Sequence, residues 1–415
     1  MYIKRTLEGK IRNYLDKPEI LAIIGPRQSG KTTLLKKVAG ELKEVSYVDF
    51  EDRDILKLFN SDIKTFYNLY GKKFKYLFID EFQYAKNGGQ KLKYLYDTYK
   101  IKIVISGSSV LDLTHQAVKY LVGRIFIFHL FPLDFKEFLS FRNPSIYENV
   151  YVDIKQKIDY YLTDRRKTTP VLSTEIIKEI NKYYYEYVIF GGYPRVVIAK
   201  YKEEKIIVLR NTYNTYFLRE IRDILQLSTE EQLQKLVKAL CLQIGCSVRY
   251  NELCQISSLN YNNLLKHINI LEKTFVIKKI QPFYKNKRIE IAKVPKIYFW
   301  DNGFRNIVID NFQDIDKRTD RGNLNENFVA SQLLKNEYNI NYWRTKSGAE
   351  IDFVFELNGT PVVIEVKSSL NLNKIGKALI SFKEKYLPSK TIVLSENYYS
   401  FDKRRNIFFM PLFFI

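Results

Sequence analysis

A glycine-rich segment between an apolar run and a charged run carries the strongest chemical signal in this sequence. Residues 25–32 read Gly-Pro-Arg-Gln-Ser-Gly-Lys-Thr and match the pattern G-x-x-x-x-G-K-[ST]. Glycine allows backbone N–H groups to point at phosphate oxygens, and the start of a following helix adds partial positive charge. We therefore expect ATP to bind here together with Mg²⁺. The expected binding residues are Gly25, Pro26, Arg27, Gln28, Ser29, Gly30, Lys31, Thr32 and Thr33.

Two carboxylates end a later apolar run. The run Tyr76–Ile79 is followed directly by Asp80 and Glu81. We expect Lys31 to reach the β and γ phosphates, and the Thr32 hydroxyl and Asp80 to serve the Mg²⁺ shell. Glu81 is then placed to orient and deprotonate the water that attacks the γ phosphate.

A serine-rich segment ends the apolar run 101–105. Ser106 is the first candidate for a residue that senses the γ phosphate, and Ser108 is nearly equal to it. The plainer alternative is a serine-rich loop that contacts no nucleotide.

A second group of acids lies near the end of the sequence. Asp352 falls on one predicted strand, and Glu365 and Lys367 fall two residues apart, on one face of the next. Asn358-Gly359 between them is a strong hairpin signal, which places the two strands side by side. Asp352 and Glu365, joined by Glu326 from a preceding helix, could then hold a second Mg²⁺ or Mn²⁺ through oxygen ligands.

The spacing of these acids resembles the restriction-endonuclease-like PD-(D/E)xK nuclease fold. The resemblance makes Asp352 the first acid and Glu365-x-Lys367 the paired motif. Lys367 alone cannot neutralise four acids that include Glu326 and Glu350, so a divalent ion is the simplest explanation of the cluster. The alternatives are a solvated strand face with ion pairs and a nuclease fold without activity.

A basic segment precedes these acids. Residues 241–296 carry ten Lys and Arg against three Glu. Two helical patterns, an apolar strand, a basic turn and a further apolar stretch from Ile289 predict a winged helix-turn-helix. Winged helices also dock proteins, so a protein partner remains an alternative to DNA. The residues expected to contact DNA are Asn260 and Lys266 on the recognition helix and Lys285, Lys287 and Arg288 in the wing.

The 415 residues carry a formal net charge of +21, which excludes an acidic, solvating chain. This charge favours nucleic acid over a membrane surface, since no amphipathic helix with a large apolar face is visible; a merely basic soluble protein is the alternative. The three cysteines form no disulfide framework or zinc pattern. The first residues show no signal peptide, so we expect a cytoplasmic protein. The apolar run 407–415 is too short to span a bilayer and predicts a buried strand.

Short apolar runs separated by charged helical segments predict a parallel sheet that is buried on both faces. The four runs lie at 20–24, 45–50, 76–79 and 101–105. After Gly322, the pattern predicts a helix, three strands, a helix and a strand. The predicted domains are a nucleotide-binding core over 1–142, a helical lid or connector over 143–240, a winged helix over 241–318 and a nuclease-like domain over 319–415.

The chain resembles the AAA-type P-loop ATPases of archaea and bacteria that are related to the signalling (STAND) ATPases. In many of these a domain of unknown function follows the ATPase. The resemblance implies that Arg124 contacts the γ phosphate, within or between subunits, and that the turn Gly192–Pro194 packs on adenine. Members commonly have Ser where this chain has Asp134. The matching segments lie at 25–32, 78–81, 106–109, 121–124, 130–138, 191–194 and 322–329.

The fold class expected from the motifs and the resemblance is α/β. A P-loop AAA-type parallel sheet core would carry a helical lid, a winged helix-turn-helix and a restriction-endonuclease-like C-terminal domain. The expected function is ATP hydrolysis coupled to action on DNA. The alternative is a STAND-like regulatory ATPase whose C-terminal domains bind protein partners. Relatives include both rings and monomers, so a homo-oligomer is a further open expectation.

Overall fold

The computed structural model describes residues 1–107, 119–163, 172–225, 227, 230–345, 347–368 and 376–415. The chain divides into two units. The first comprises Met1–Leu133 and Asn269–Val276, and the second comprises Asp134–Ile268 and Ile277–Ile415. The predicted domain boundaries at 142, 240 and 318 stay predictions.

The first unit is built on a five-stranded sheet of order β2-β3-β4-β1-β5, in which all pairings are parallel. Strands β1, β3 and β4 are buried along their whole length, as their continuous apolar runs predict. The strands are β1 Ile20–Ile24, β2 Val45–Asp49, β3 Tyr76–Asp80, β4 Lys102–Gly107 and β5 Ile125–His129. The helices are α1 Thr6–Tyr14, α2 Lys31–Ala39, α3 Arg53–Ser61, α4 Ile63–Tyr70, α5 Gly88–Tyr99 and α6 Lys119–Leu121.

The core of the first unit lies between the sheet and its helices. Leu21, Ile23 and Val104 from the sheet pack with Leu34 and Val38 of α2. Packing of these side chains fixes the end of β1 against the start of α2, where the glycine-rich segment lies. The predicted α/β class with a parallel sheet core is confirmed. The edge strand β5 was not predicted, because it is only half-buried and its apolar run is short.

The second unit begins with a helical segment, and all the described elements between residues 135 and 242 are helices. Two π-helical turns, Tyr147–Tyr151 and Thr212–Phe217, interrupt it. The helices are α7 Phe135–Arg142, α8 Pro144–Ile146, α9 Val152–Thr163, α10 Thr174–Phe190, α11 Pro194–Ile198, α12 Lys202–Asn211, α13 Leu218–Leu225 and α14 Glu231–Leu242.

A helix-turn-helix and a two-stranded antiparallel hairpin follow. The elements are α15 Tyr250–Ser257, α16 Tyr261–Lys273, β6 Ile277–Ile280, α17 Lys287–Ala292, β7 Lys296–Phe299 and α18 Asn302–Val308. Strands β6 and β7 pair with Ile277 opposite Phe299.

The C-terminal part is a six-stranded mixed sheet of order β12-β13-β11-β10-β9-β8. Asn358 and Gly359 both have positive φ, at 50° and 75°, so the predicted tight hairpin joins β9 to β10. Strand β13 is fully buried, as predicted for the apolar tail. The elements are α19 Arg321–Lys335, β8 Asn341–Arg344, β9 Glu350–Leu357, β10 Thr360–Val366, α20 Lys377–Tyr386, β11 Lys390–Ser395, β12 Ser400–Asp402 and β13 Ile407–Pro411. Across the described part of the chain, no helix has the length and apolar character needed to cross a membrane.

Candidate functional sites

The glycine-rich loop lies between the end of β1 and the start of α2, at the carboxyl edge of the parallel sheet. A Cβ atom on Gly25 would lie 2.0 Å from the backbone oxygen of Leu130, so only glycine fits at this position. Gly30 precedes α2 with φ of 97°, a conformation that other residues rarely adopt. Both motif glycines are therefore required by the backbone path itself.

Lys31 lies inside this loop. Its side chain is buried, and Nζ donates to the carbonyl oxygens of Gly25 at 2.9 Å and Pro26 at 3.0 Å. Ser29 is fully buried, and its Oγ has no hydrogen-bond partner among the described residues. A buried ammonium and an unsatisfied hydroxyl in a loop at a helix start fit a phosphate group, which would accept from both. Thr32 is partly buried and Thr33 exposed.

Asp80 at the end of β3 is held by donors from both neighbouring strands. The Tyr47 hydroxyl on β2 donates to Oδ2 at 2.7 Å, while Ser106 on β4 donates its hydroxyl to Oδ1. The backbone N–H of Glu81 also donates to Oδ1, at 3.1 Å. Burial and the Asp80 charge raise the pKa of Tyr47, so this hydroxyl stays protonated as a donor. The sequence did not single out Tyr47.

Glu81 follows Asp80 in the left-handed region, with φ of 51°. The Gln83 amide donates to its Oε2. Burial raises the pKa of Glu81, opposed by the Gln83 hydrogen bond and by the Lys31 charge. A carboxylate with a raised pKa is a better proton acceptor near neutral pH. Ser106, the predicted phosphate sensor, contacts Asp80 directly, and Ser108 lies outside the described residues.

Arg124 lies at the end of the sheet where the parallel strands begin, whereas the glycine-rich loop lies where they end. It immediately precedes β5, and its carbonyl accepts from Ile20 N, at the first residue of β1. Arg124 is separated from the loop by the length of β1, which is roughly 13 Å at the usual rise per residue of a strand. Its guanidinium instead pairs with Asp97 at 2.9 Å. The expectation that Arg124 contacts the γ phosphate within its own subunit is therefore wrong, because parallel strands place the two residues at opposite ends.

The Gly191–Pro194 turn, in the second unit, separates α10 from α11, and Pro194 is the first residue of α11. Gly192 N donates to the buried Asp301 carboxylate at 2.7 Å. A Cβ atom on Gly191 would lie 2.0 Å from Asp301 Oδ1. The close approach of Asp301 explains the glycine at position 191 without any nucleotide. Packing of Pro194 on adenine stays a prediction.

The predicted DNA-contacting residues lie partly on the helix-turn-helix and partly in the segment between β6 and β7. Asn260 caps α16, since its side-chain oxygen accepts from Asn263 N at 2.9 Å. Lys266, Lys285 and Arg288 are exposed.

The prediction of a wing built from a basic turn and a following apolar stretch is wrong in its local structure. Lys287 and Arg288 begin a helix, α17, because the Asn286 side chain accepts from Arg288 N at 3.0 Å and caps it. The residues from Ile289 lie in this helix, and the strand that returns is β7.

The acids of the C-terminal part meet a lysine that the sequence did not single out. Lys296 on β7 is 1% exposed, and its Nζ lies 2.5 Å from Glu350 and 3.3 Å from Glu326. Although burial opposes it, the two carboxylates hold the pKa of Lys296 above its usual value. The charge balance predicted for the cluster is wrong, because Lys296 and the half-exposed Arg344, whose Nε lies 3.7 Å from Glu350, supply cations besides Lys367.

Asp352 and Glu365 lie on adjacent strands, as predicted. Val366 N donates to Asp352 Oδ2 at 2.7 Å, and Lys367 Nζ lies 2.5 Å from Glu365 Oε1. Burial and the charges of Glu326 and Glu365 raise the pKa of Asp352, and burial raises the pKa of Glu365. Glu365 Oε2 is buried and has no hydrogen-bond partner among the described residues.

The fit of these residues to a divalent ion is limited. Over the described ranges, no group of three or more His, Cys, Asp and Glu is arranged to hold a metal ion. Glu326 is committed to Lys296 and to the Tyr298 hydroxyl, which donates at 2.5 Å. Asp352 and Glu365 are the acids that fit a cation, with Glu365 Oε2 as the unsatisfied oxygen.

Comparisons with known proteins match three separate segments of the chain. An AAA domain model matches residues 17–139, a domain of unknown function (DUF8612) matches 181–315, and another (DUF4143) matches 321–415. An uncharacterized protein of Methanocaldococcus jannaschii, MJ1637, is 25% identical over 98% of this chain and 86% of its own length. An uncharacterized protein of Haemophilus influenzae is 23% identical over 96% and 93%. The Walker-type ATPase PABY2304 of Pyrococcus abyssi is similar over 74% of this chain and 96% of its own, with 15% identity and a TM-score of 0.46.

The AAA model covers the five parallel strands and the glycine-rich loop. The loop follows the inner strand β1 and opens a helix, and the acid pair follows β3, two positions away in the sheet. The chain therefore carries an AAA-type P-loop ATPase fold over residues 17–139.

Proposed function

We propose that this protein binds ATP with Mg²⁺ and hydrolyses the γ phosphate. The observation that carries the proposal is the joint placement of Lys31, Asp80 and Glu81 at the carboxyl edge of one parallel sheet. Lys31 and the loop N–H groups would bind the phosphates, and Thr32 and Asp80 would hold the ion. Bound Mg²⁺ supplies charge neutralisation at the phosphates. Glu81 would accept the proton of the attacking water, and its raised pKa suits that role.

Two substitutions separate binding from turnover. Lys31→Ala should abolish ATP binding measured by calorimetry, because the buried ammonium is lost. Glu81→Gln should retain binding and lower kcat by about 10²–10⁴-fold, the usual contribution of a general base. Glu44→Gln, at an exposed acid before the amino end of β2, is the matched control. Full turnover in Glu81→Gln would remove Glu81 as the base.

The finer proposal is that the second unit acts on DNA. It is supported by the helix-turn-helix and by exposed Lys266, Lys285 and Arg288. Reversing Lys285, Lys287 and Arg288 to Glu should weaken DNA binding and reduce its salt dependence by about 0.9 in slope per lost phosphate contact. An unchanged slope would assign DNA binding to another surface. The charge-matched control reverses three exposed lysines of the first unit, Lys4, Lys43 and Lys72.

The C-terminal part is proposed to be a metal-dependent nuclease-like domain. Support comes from Asp352 and Glu365 on adjacent strands with Lys367 beside Glu365. The test is cleavage of linear, branched and single-stranded DNA with Mg²⁺ or Mn²⁺, with and without ATP, comparing wild type with Asp352→Ala and Lys367→Ala. If wild type cuts none of these, or both variants cut equally well, the nuclease proposal fails.

The second candidate is a regulatory ATPase whose C-terminal part binds protein, possessing no nuclease activity. The observation that favours it is Lys296, which neutralises part of the acidic cluster from within. Salt-sensitive DNA retention supports the first candidate. Capture of a protein partner that depends on bound ATP, with no DNA retention, supports the second.

A further inference from the structure

Strand β7 delivers two polar side chains into the acidic cluster of the C-terminal sheet. Lys296 Nζ lies 2.5 Å from Glu350 Oε1 and 3.3 Å from Glu326 Oε1. Tyr298, two residues later on the same face of the strand, donates its hydroxyl to the same Glu326 oxygen at 2.5 Å. Strand β7 therefore supplies both a cation and a neutral donor to acids that lie on α19 and β9.

The backbone around Lys296 fixes its position. The carbonyl of Pro295 accepts from Val248 N at 3.0 Å, and the carbonyl of Val294 accepts from the Tyr342 hydroxyl at 2.7 Å. On the other side, Gly245 leaves room for the Glu326 carboxylate, since a Cβ there would lie 2.9 Å from its Oε2. The ammonium thus stands at a defined place and is not a flexible surface charge.

We propose that Lys296 is the resident cation of the acidic cluster and that it excludes a divalent ion from Glu326 and Glu350. The inference rests on the proposed metal-dependent function and specifies which residues the ion can use. An ammonium this close to both carboxylates uses the oxygens that an ion would need, and two cations side by side repel each other. Ion binding in the intact protein is then confined to Asp352 and Glu365.

The remaining acids suit a weak ion site. Glu365 is 7% exposed; its Oε1 pairs with Lys367 at 2.5 Å, whereas its Oε2 has no hydrogen-bond partner within the described ranges, so one buried carboxylate oxygen is left to accept an ion. Asp352 lies on the adjacent strand, where one of its oxygens is used by Val366 N. Two carboxylates supply fewer ligands than Mg²⁺ or Mn²⁺ usually takes from protein and water together, so water completes the shell and affinity is low.

The experiment measures Mn²⁺ binding to the full chain without nucleotide, by calorimetry. Wild type should bind weakly, and Lys296→Met should bind on the order of tenfold tighter or more, because Glu326 loses its ammonium partner and Glu350 keeps only the half-exposed Arg344, at 3.7 Å. Lys293→Met, at an exposed lysine three residues earlier, is the matched control and should bind as wild type does. Equal affinity in wild type and Lys296→Met overturns the proposal.

Two further variants keep the test decisive. If Lys296→Met does not fold, Lys296→Met combined with Glu350→Gln removes the ion pair as a unit, and it should still bind Mn²⁺ more tightly than wild type. Wild-type Mn²⁺ binding that is lost in Glu326→Gln also overturns the proposal, because Glu326 would then ligate the ion beside Lys296. Tighter Mn²⁺ binding in Lys296→Met without any DNA cleavage supports Lys296 as the resident cation while the nuclease function fails. If wild type instead binds Mn²⁺ as tightly as Lys296→Met and also cleaves DNA, the nuclease function is supported and the proposal for Lys296 fails.

Discussion

Glu396 is the buried acid on which three segments of the second unit converge. Its carboxylate is 1% exposed and accepts from Arg321 through both oxygens. Asn325 donates to Oε1 at 2.7 Å and Tyr185 to Oε2 at 2.8 Å. These donors lie on α19 and α10, and Glu396 directly follows β11. Replacing Glu396 by Gln therefore removes a charge that holds two helices against the end of a strand.

The expected loss of stability follows from these contacts. Breaking a buried ion pair costs about 3–5 kcal/mol, but the Arg321 side chain is 26% exposed and also pairs with Asp316 at 2.7 Å. Water and Asp316 recover part of the loss, so Glu396→Gln should cost about 2–3 kcal/mol. Asp316→Asn is the matched control, and because Asp316 is 74% exposed it should cost about 0–1 kcal/mol.

The effect of Glu396 should also depend on pH. Although burial opposes it, the hydrogen bonds from Arg321, Asn325 and Tyr185 hold the pKa of Glu396 below its usual value. The contribution of a carboxylate with a lowered pKa is present above the unfolded value of about 4.3 and is lost as pH falls through the folded value. The difference between wild type and Glu396→Gln should therefore be full at pH 7 and shrink in acid below pH 4.3.

The assay is urea unfolding followed by tryptophan fluorescence. Both tryptophans of the chain, Trp300 and Trp343, are buried in the second unit, so the signal reports the unit that holds Glu396. The reasoning is refuted if Glu396→Gln costs no more than Asp316→Asn, or if its cost is the same at pH 7 and in acid.

Three further substitutions test the first unit. Gly25→Ala should abolish ATP binding measured by calorimetry, because its Cβ would lie 2.0 Å from a backbone oxygen, while Gly9→Ala, with nothing within 4 Å, should bind normally. Tyr47→Phe should fold and bind ATP but lose about 1.5–3 kcal/mol in thermal unfolding, since it removes a hydrogen bond to a carboxylate; an unchanged stability would contradict the contact with Asp80. Arg124→Ala should keep wild-type turnover at low protein concentration, and a loss there would contradict its placement at the far edge of the sheet.

Local sequence predicted most of the first unit. The buried strands are continuous apolar runs, and the loop motif is complete within eight residues, so neighbouring residues were sufficient. Strand direction then brought Asp80 and Glu81 to the same sheet edge. The role of Arg124 was expected from a resemblance and not from a local pattern, and the direction of β5, a strand that was not predicted, puts Arg124 where the parallel strands begin. The sequence did not predict the hydrogen bond from Tyr47 to Asp80, because this contact depends on the pairing of β2 with β3.

The acidic cluster shows why charge reasoning from sequence fails where pairing is distant. The acids were predicted to meet, and the hairpin with Asn358-Gly359 brings their strands together. Their balance was wrong because Lys296 lies thirty positions before Glu326, across the predicted boundary at 318. The second unit holds both residues, so that boundary would separate a buried ammonium from its carboxylates. Either charge alone would be costly to bury. The segment that carries β7 and the C-terminal sheet therefore depend on each other electrostatically, whatever chemistry the cluster performs.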